Sequence, residues 1–211
     1  MTDGDDLATR VRTSGRLPAD EVAHVVSAAA DEVDQRVADG RPHGRLSPAA
    51  ILQLPDGRIA LADPATLSHV PDTGAHAAPE IFAGAPPDAR SEVFSLSSTA
   101  YTLLTGEAPN SFGIANARRA RPDLGPGLEA ALTRATSRDP AFRFQSAAGF
   151  AAALAEALAP TPEAPATAPQ SLPTRPPRRI PALALLALVA GVLAVLSVLL
   201  WGGIFLVQNL S

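Results

Sequence analysis

The 211-residue chain contains no lysine and no cysteine, so all 17 of its basic residues are arginine. Without an ammonium group it has no Schiff base and no phosphate-anchoring lysine. Without a thiol it has neither a disulfide framework nor a thiolate metal site. Net positive charge is lacking too. Residues 1–159 carry 14 Arg against 20 Asp and Glu, whereas residues 160–211 carry three Arg against Glu163. An acidic N-terminal part argues against a nucleic-acid surface, which needs clustered positive charge. No internal repeat is present, and no G-x-S-x-G elbow supports a hydrolase.

The last 32 residues lack charge altogether. Ile180–Val207 is apolar but for Ser197 and three glycines. Its 28 residues at about 1.5 Å each exceed the roughly 30 Å hydrocarbon core of a bilayer, which predicts one transmembrane helix over 180–207 and a short tail, 208–211. Trp201 lies toward the far end, where amphipathic rings meet the interface. Arg175, Arg178 and Arg179 flank the near end, so the positive-inside rule puts the preceding domain in the cytoplasm and the protein in the cell membrane as a single-pass chain. Residues 159–179 hold seven Pro. That spacing favours extended polyproline II and a semi-rigid juxtamembrane spacer.

Residues 1–158 remain for one core. Val22, Val25, Val26, Ala29, Val33 and Val37 recur at three-to-four spacing and predict a helix over 20–37 that starts near Pro18. Residues 50–62 (AILQLPDGRIALA) are two short alternating runs around Pro55-Asp56-Gly57, a β-hairpin. Three more helices are predicted over 91–105, stopped by Gly106, over 127–137 and over 146–158, with 110–126 a loop. The fold class expected is mainly α with one small hairpin.

Three segments, in order, resemble the C-terminal lobe of bacterial Ser/Thr protein kinases. His43-Gly44-Arg45-Leu46-Ser47-Pro48-Ala49-Ala50-Ile51-Leu52 is similar to the family's catalytic loop, HRDLKPxNIL, and Leu61-Ala62-Asp63-Pro64-Ala65 stands where the family has DFG. Ala78-Pro79-Glu80 matches APE. It is followed by Asp88–Leu96 (DARSEVFSL), similar to D-x-R-S-D-V-Y-S-L, and by Tyr101–Pro109 (YTLLTGEAP). Arg138–Phe144 (RDPAFRF) resembles the segment before the family's last helix.

The resemblance implies a kinase-like fold, and its departures bear on chemistry. Phosphoryl transfer is mostly positioning and charge stabilisation, so its parts are checked singly. The catalytic Asp aligns with Arg45, a permanent cation unable to act as a base. The catalytic-loop Lys aligns with Ser47. The metal-binding Asn aligns with Ala50, which offers no oxygen ligand. Asp63 alone remains of the metal pair, followed by Pro64 and Ala65. No G-x-G-x-x-G loop occurs, and the chain begins near the family's hinge, which implies a missing N-terminal lobe. The matched scaffold residues are His43, packed inward; Glu92, in place of the Asp that holds the catalytic-loop backbone; and Glu80 with Arg143, an ion pair tying the APE region to the loop before the last helix.

The expectation is a pseudokinase without cofactor, tethered to the membrane, that serves as a scaffold or regulator in Ser/Thr kinase signalling. Its expected partners are proteins, kinases or phosphopeptide-binding adaptors, and not nucleic acid. Thr66, Ser68 and Thr73 lie in the activation-segment remnant and are the phosphorylation candidates. The alternative is an active phosphotransferase whose N-lobe is supplied by another chain or lost to a late start. His69, Asp72 and His76 have a spacing compatible with zinc but no fourth ligand. The bland reading of Asp63 is a hydrogen-bond acceptor at the hairpin end. For Arg45 it is a solvent-facing or Glu92-paired cation.

Overall fold

A computed structural model describes residues 5–67, 72–109 and 120–159. A two-residue strand β1 (Asp5–Asp6) leads into helix α1 (Leu7–Ser14). Asp6 caps that helix, accepting from the Thr9 N–H (2.8 Å) and the Thr9 hydroxyl (2.9 Å). Periodicity gives no hint of α1, because Leu7 is its one buried residue. Its cap, and not an apolar stripe, marks its start. Helix α2 (Ala19–Ala38) matches the predicted stripe within a residue at each end and buries Val22, Val25, Val26, Ala29, Ala30 and Val33.

A 3₁₀ turn at Pro48–Ala50 opens the sheet region. Strands β2 (Ile51–Gln53) and β3 (Ile59–Leu61) pair antiparallel, Ile51 opposite Leu61 and Gln53 opposite Ile59. The expected hairpin gains a third strand: β1 lies antiparallel on the other side of β2, Asp5 opposite Gln53, giving the order β1-β2-β3. Two aspartates have no intrinsic strand preference. Their pairing follows from α1, which packs against β2 and the 3₁₀ turn.

Short helices α3 (Asp72–His76) and α4 (Pro79–Phe82) precede α5 (Ala89–Thr105). The Asp88 carboxylate accepts from Arg90 and Ser91 N–H, and the Ser91 hydroxyl reaches back to the Asp88 N–H, a capping box. Gly106, at φ 81, supplies the left-handed stop. Thirteen of the 17 residues of α5 are buried, so it is an interior helix. Helices α6 (Pro126–Ala135) and α7 (Ala147–Leu158) follow among the described residues. Both pack on α5, and α7 also runs along α2. One apolar cluster joins Val26, Val33, Leu96, Leu103, Leu132, Phe150 and Leu154, each nearly inaccessible to solvent. Burying each such side chain contributes about 1.5–3 kcal/mol against chain entropy.

Among the described residues no helix is long and apolar enough to cross a membrane. The apolar run 180–207, the tail 208–211 and, beyond Ala159, the proline-rich linker lie outside the described residues.

Candidate functional site

The loop 43–47 turns sharply between α2 and the sheet, and three side chains set its shape. His43 is buried, with Nε2 3.0 Å from the Ala62 carbonyl and Nδ1 accepting the Arg45 N–H at 3.2 Å. Those roles make Nε2 the donor of a neutral ring, and burial lowers the His43 pKa. Gly44 sits at φ 73, and a Cβ there would lie 2.8 Å from Pro87 Cγ. Only glycine fits both conditions without displacement. The Gly44 N–H donates to Glu92 Oε1 at 2.5 Å.

Glu92 is 1% exposed, and burial raises its carboxyl to about 7 against the opposing pull of the Gly44 and His43 backbone N–H groups. Among the described residues its Oε2 has no hydrogen-bond partner, nor does the buried Ser47 Oγ. Ala50 is fully buried.

Arg45 does not turn to solvent. Its Nη1 donates to the carbonyls of Pro64 (2.8 Å) and Leu67 (3.2 Å). Asp63 is exposed and caps its own turn: Oδ1 accepts the Ala65 N–H (2.8 Å), and its carbonyl accepts both the N–H (2.9 Å) and the hydroxyl (2.8 Å) of Thr66. Glu32 of α2 enters from the other side, its Oε2 taking the Leu61 N–H at 3.0 Å. Glu32 Oε1 also pairs with Arg36 one turn further along α2. Nothing local signals the Leu61 contact.

A second locus lies at α4. Arg143 is 1% exposed, and its guanidinium forks onto Glu80, Nη1 to Oε1 at 2.5 Å and Nη2 to Oε2 at 2.9 Å. It also donates to the carbonyls of Ser137 (2.8 Å), Arg90 (3.1 Å) and Arg138 (3.4 Å), and it stands 4.9 Å over the Phe94 ring. Burial raises the Glu80 carboxyl, but hydrogen bonding and charge from Arg143 outweigh it and hold the pKa below its usual value. Nearby, α3 belongs to the stretch 66–77, for which the sequence predicts neither helix nor strand. The buried His76 ring there meets Thr102 Oγ1 at 2.9 Å. Ser68, His69 and the side chains of Asp72 and Thr73 lie outside the described residues. Thr66 is described and exposed.

No family model matches the chain. The Ser/Thr protein kinase PknJ of Mycobacterium tuberculosis is 32% identical over 188 residues, covering 75% of this chain and 32% of PknJ. PknF of the same organism is 29% identical, with 75% of this chain and 40% of PknF covered. The crystal structure of the M. tuberculosis PknI kinase domain superposes with a TM-score of 0.64 at 34% identity, covering 74% of this chain and 63% of that one. This chain is a homologue of the bacterial Ser/Thr protein kinases. It has a partial kinase-like domain, mostly helical with a small antiparallel sheet. The chain spans about a third of the length of PknJ and two-fifths of PknF.

Within this kinase-like domain His43, Arg45 and Glu32 hold the backbone of Leu61–Leu67, Glu92 holds Gly44 between the first two, and Glu80 and Arg143 form the separate locus. Glu92 Oε1 holds the Gly44 N–H, and Asp63 Oδ1 holds the Ala65 N–H of its own turn.

Proposed function

We propose that this protein is a membrane-tethered, catalytically inactive kinase-like module that acts by binding other proteins. The carrying observation is Arg45: a cation stands at the position the resemblance assigns to the catalytic base, and its guanidinium is engaged with carbonyl groups. Ala50 at the metal-ligand position and the self-capping Asp63 support the same reading. The apolar run 180–207 and the preceding arginines support a single span with the domain on the cytoplasmic side. Exposed Thr66, with Ser68 and Thr73, is the segment through which another kinase would mark the module for a phosphopeptide-binding adaptor.

A second reading is an active phosphotransferase completed by further sequence or another chain. It draws on the kinase names of the relatives and on the third of PknJ that this chain spans. Calorimetry of the chain with Mg-ATP, run beside a phosphate-transfer assay, separates the two. The inactive reading expects no binding at cellular ATP concentrations and no transfer. A dissociation constant at or below those concentrations defeats the expectation of no binding, and measurable transfer establishes the second. Reporter fusions at both ends test the span, and an N-terminal reporter outside the cell would refute it.

A further inference from the structure

Besides two backbone bonds, Ala62 N–H to the Ala50 carbonyl and Thr66 N–H to the Asp63 carbonyl, the backbone that leaves β3 is held by side chains. Leu61 N–H goes to Glu32 Oε2, the Ala62 carbonyl to His43 Nε2, and Ala65 N–H to Asp63 Oδ1. The carbonyls of Pro64 and Leu67, at the two ends of the turn, both go to Arg45 Nη1. Proline at 64 has no N–H and a fixed φ, so the turn offers few backbone donors for internal ladder bonds. In a typical loop such carbonyls are left to water. Here one guanidinium spans the turn from outside.

We propose that Arg45 is a conformational lock that holds the Asp63–Leu67 turn in a single arrangement against loop 43–47. Its own position is fixed from behind, because its N–H is bound by His43 Nδ1 and the adjacent Gly44 by Glu92. The residue type suits the task. Guanidinium keeps its charge at every physiological pH and donates from a rigid plane, so the bond to both carbonyls does not lapse with protonation state. Charge-assisted donation into a half-buried site is stronger than a neutral hydrogen bond.

Two consequences follow for neighbouring groups. One oxygen of the Asp63 carboxylate, Oδ1, is kept on the Ala65 N–H. The Thr66 hydroxyl, on an exposed side chain, is held on the Asp63 carbonyl. Where most loops sample several states, this one presents a fixed surface.

Hydrogen–deuterium exchange on the full chain tests the lock. In Arg45→Met, which keeps stem length and removes the donors, Ala65 and Thr66 amides should exchange at least tenfold faster, while α5 and α7 amides keep their protection. Arg45→Lys, which keeps a charged donor, should recover most of the protection. Added Mg²⁺ should leave the wild-type exchange unchanged. Unchanged exchange in Arg45→Met, or a wild-type turn remodelled by Mg²⁺, overturns the lock. Should Arg45→Met not fold, the wild-type Arg45 Nη protons decide by magnetic resonance: slowed rotation and exchange support the lock, and free averaging refutes it. ATP binding would defeat the inactive reading of the module but leave these exchange results as they are, so the two failures are distinguishable.

Discussion

Asp34, near the end of α2, grips the start of α7. Its two carboxylate oxygens accept the N–H groups of Ala147 (2.8 Å) and Ala148 (2.9 Å), and Ser146 Oγ accepts that of Gly149 (3.1 Å). A residue more than a hundred positions away thus satisfies orphan amides of a helix N-terminus and places negative charge at the positive end of its dipole. The two helices therefore share a polar register as well as an apolar seam.

Asp34→Ala should lower stability by about 1–2 kcal/mol, the usual cost of losing an N-terminal cap, and Asp34→Asn by less. Chemical denaturation reads this as a shifted midpoint at constant slope. An unshifted midpoint would mean that apolar packing alone sets the register.

Glu80 and Arg143 should be strongly coupled. Removing Glu80 leaves a buried guanidinium with carbonyl partners only, a loss of up to about 3–5 kcal/mol. In a double-mutant cycle the pair should lose less than the sum of the singles, by roughly 0.5–3 kcal/mol. Additive losses would contradict the two-point contact.

Stability should fall as pH rises from about 4.5 to about 7 because of Glu92. Its folded carboxyl titrates at about 7, against an ordinary 4.5, so the folded state holds the proton more tightly than the unfolded state. The contribution is fully present below about 4.5 and lost above about 7, with a ceiling on the order of 3 kcal/mol. His43 acts oppositely: burial disfavours its charged form, which costs stability as pH drops below its ordinary 6.5. The comparison with Glu92→Gln isolates the carboxyl. The variant should gain on wild type from pH 5 to pH 7 and hold that gain above it. A pH-independent difference would show that Glu92 does not titrate there.

Gly44→Ala should be costlier than Gly57→Ala. Both glycines have positive φ, 73 and 84, and pay roughly 1–3 kcal/mol of backbone strain on substitution. Only the Cβ at 44 meets a neighbour, Pro87; at 57 the space is open within 4 Å. Paired thermal melts check the order. Equal losses would mean that Pro87 moves aside freely.

Much of this architecture is readable from residues in a row. The valine spacing gives α2, Gly106 marks the end of α5, whose start lies two residues before the expected Ser91, and the alternating runs around Pro55–Gly57 give the hairpin. The rest depends on partners that any sequence offers. Arg45 takes backbone carbonyls 19 and 22 residues away, Glu32 takes an amide 29 away, and Asp34 takes two amides beyond that; no pattern of side chains encodes such acceptors. Strand β1 is two aspartates recruited by docking. Helix α3 contains Gly74 and is too short for periodicity to register.

The first turn of α5 carries two anchors. The Arg90 carbonyl receives the Arg143 guanidinium, and two residues on Glu92 receives the Gly44 amide. Because the Asp88 box clamps that turn, the anchors sit on one stiff ruler with a set gap. The turn before α7 and loop 43–47 are thereby tied to one rigid element, so neither can shift by itself without breaking a bond to α5.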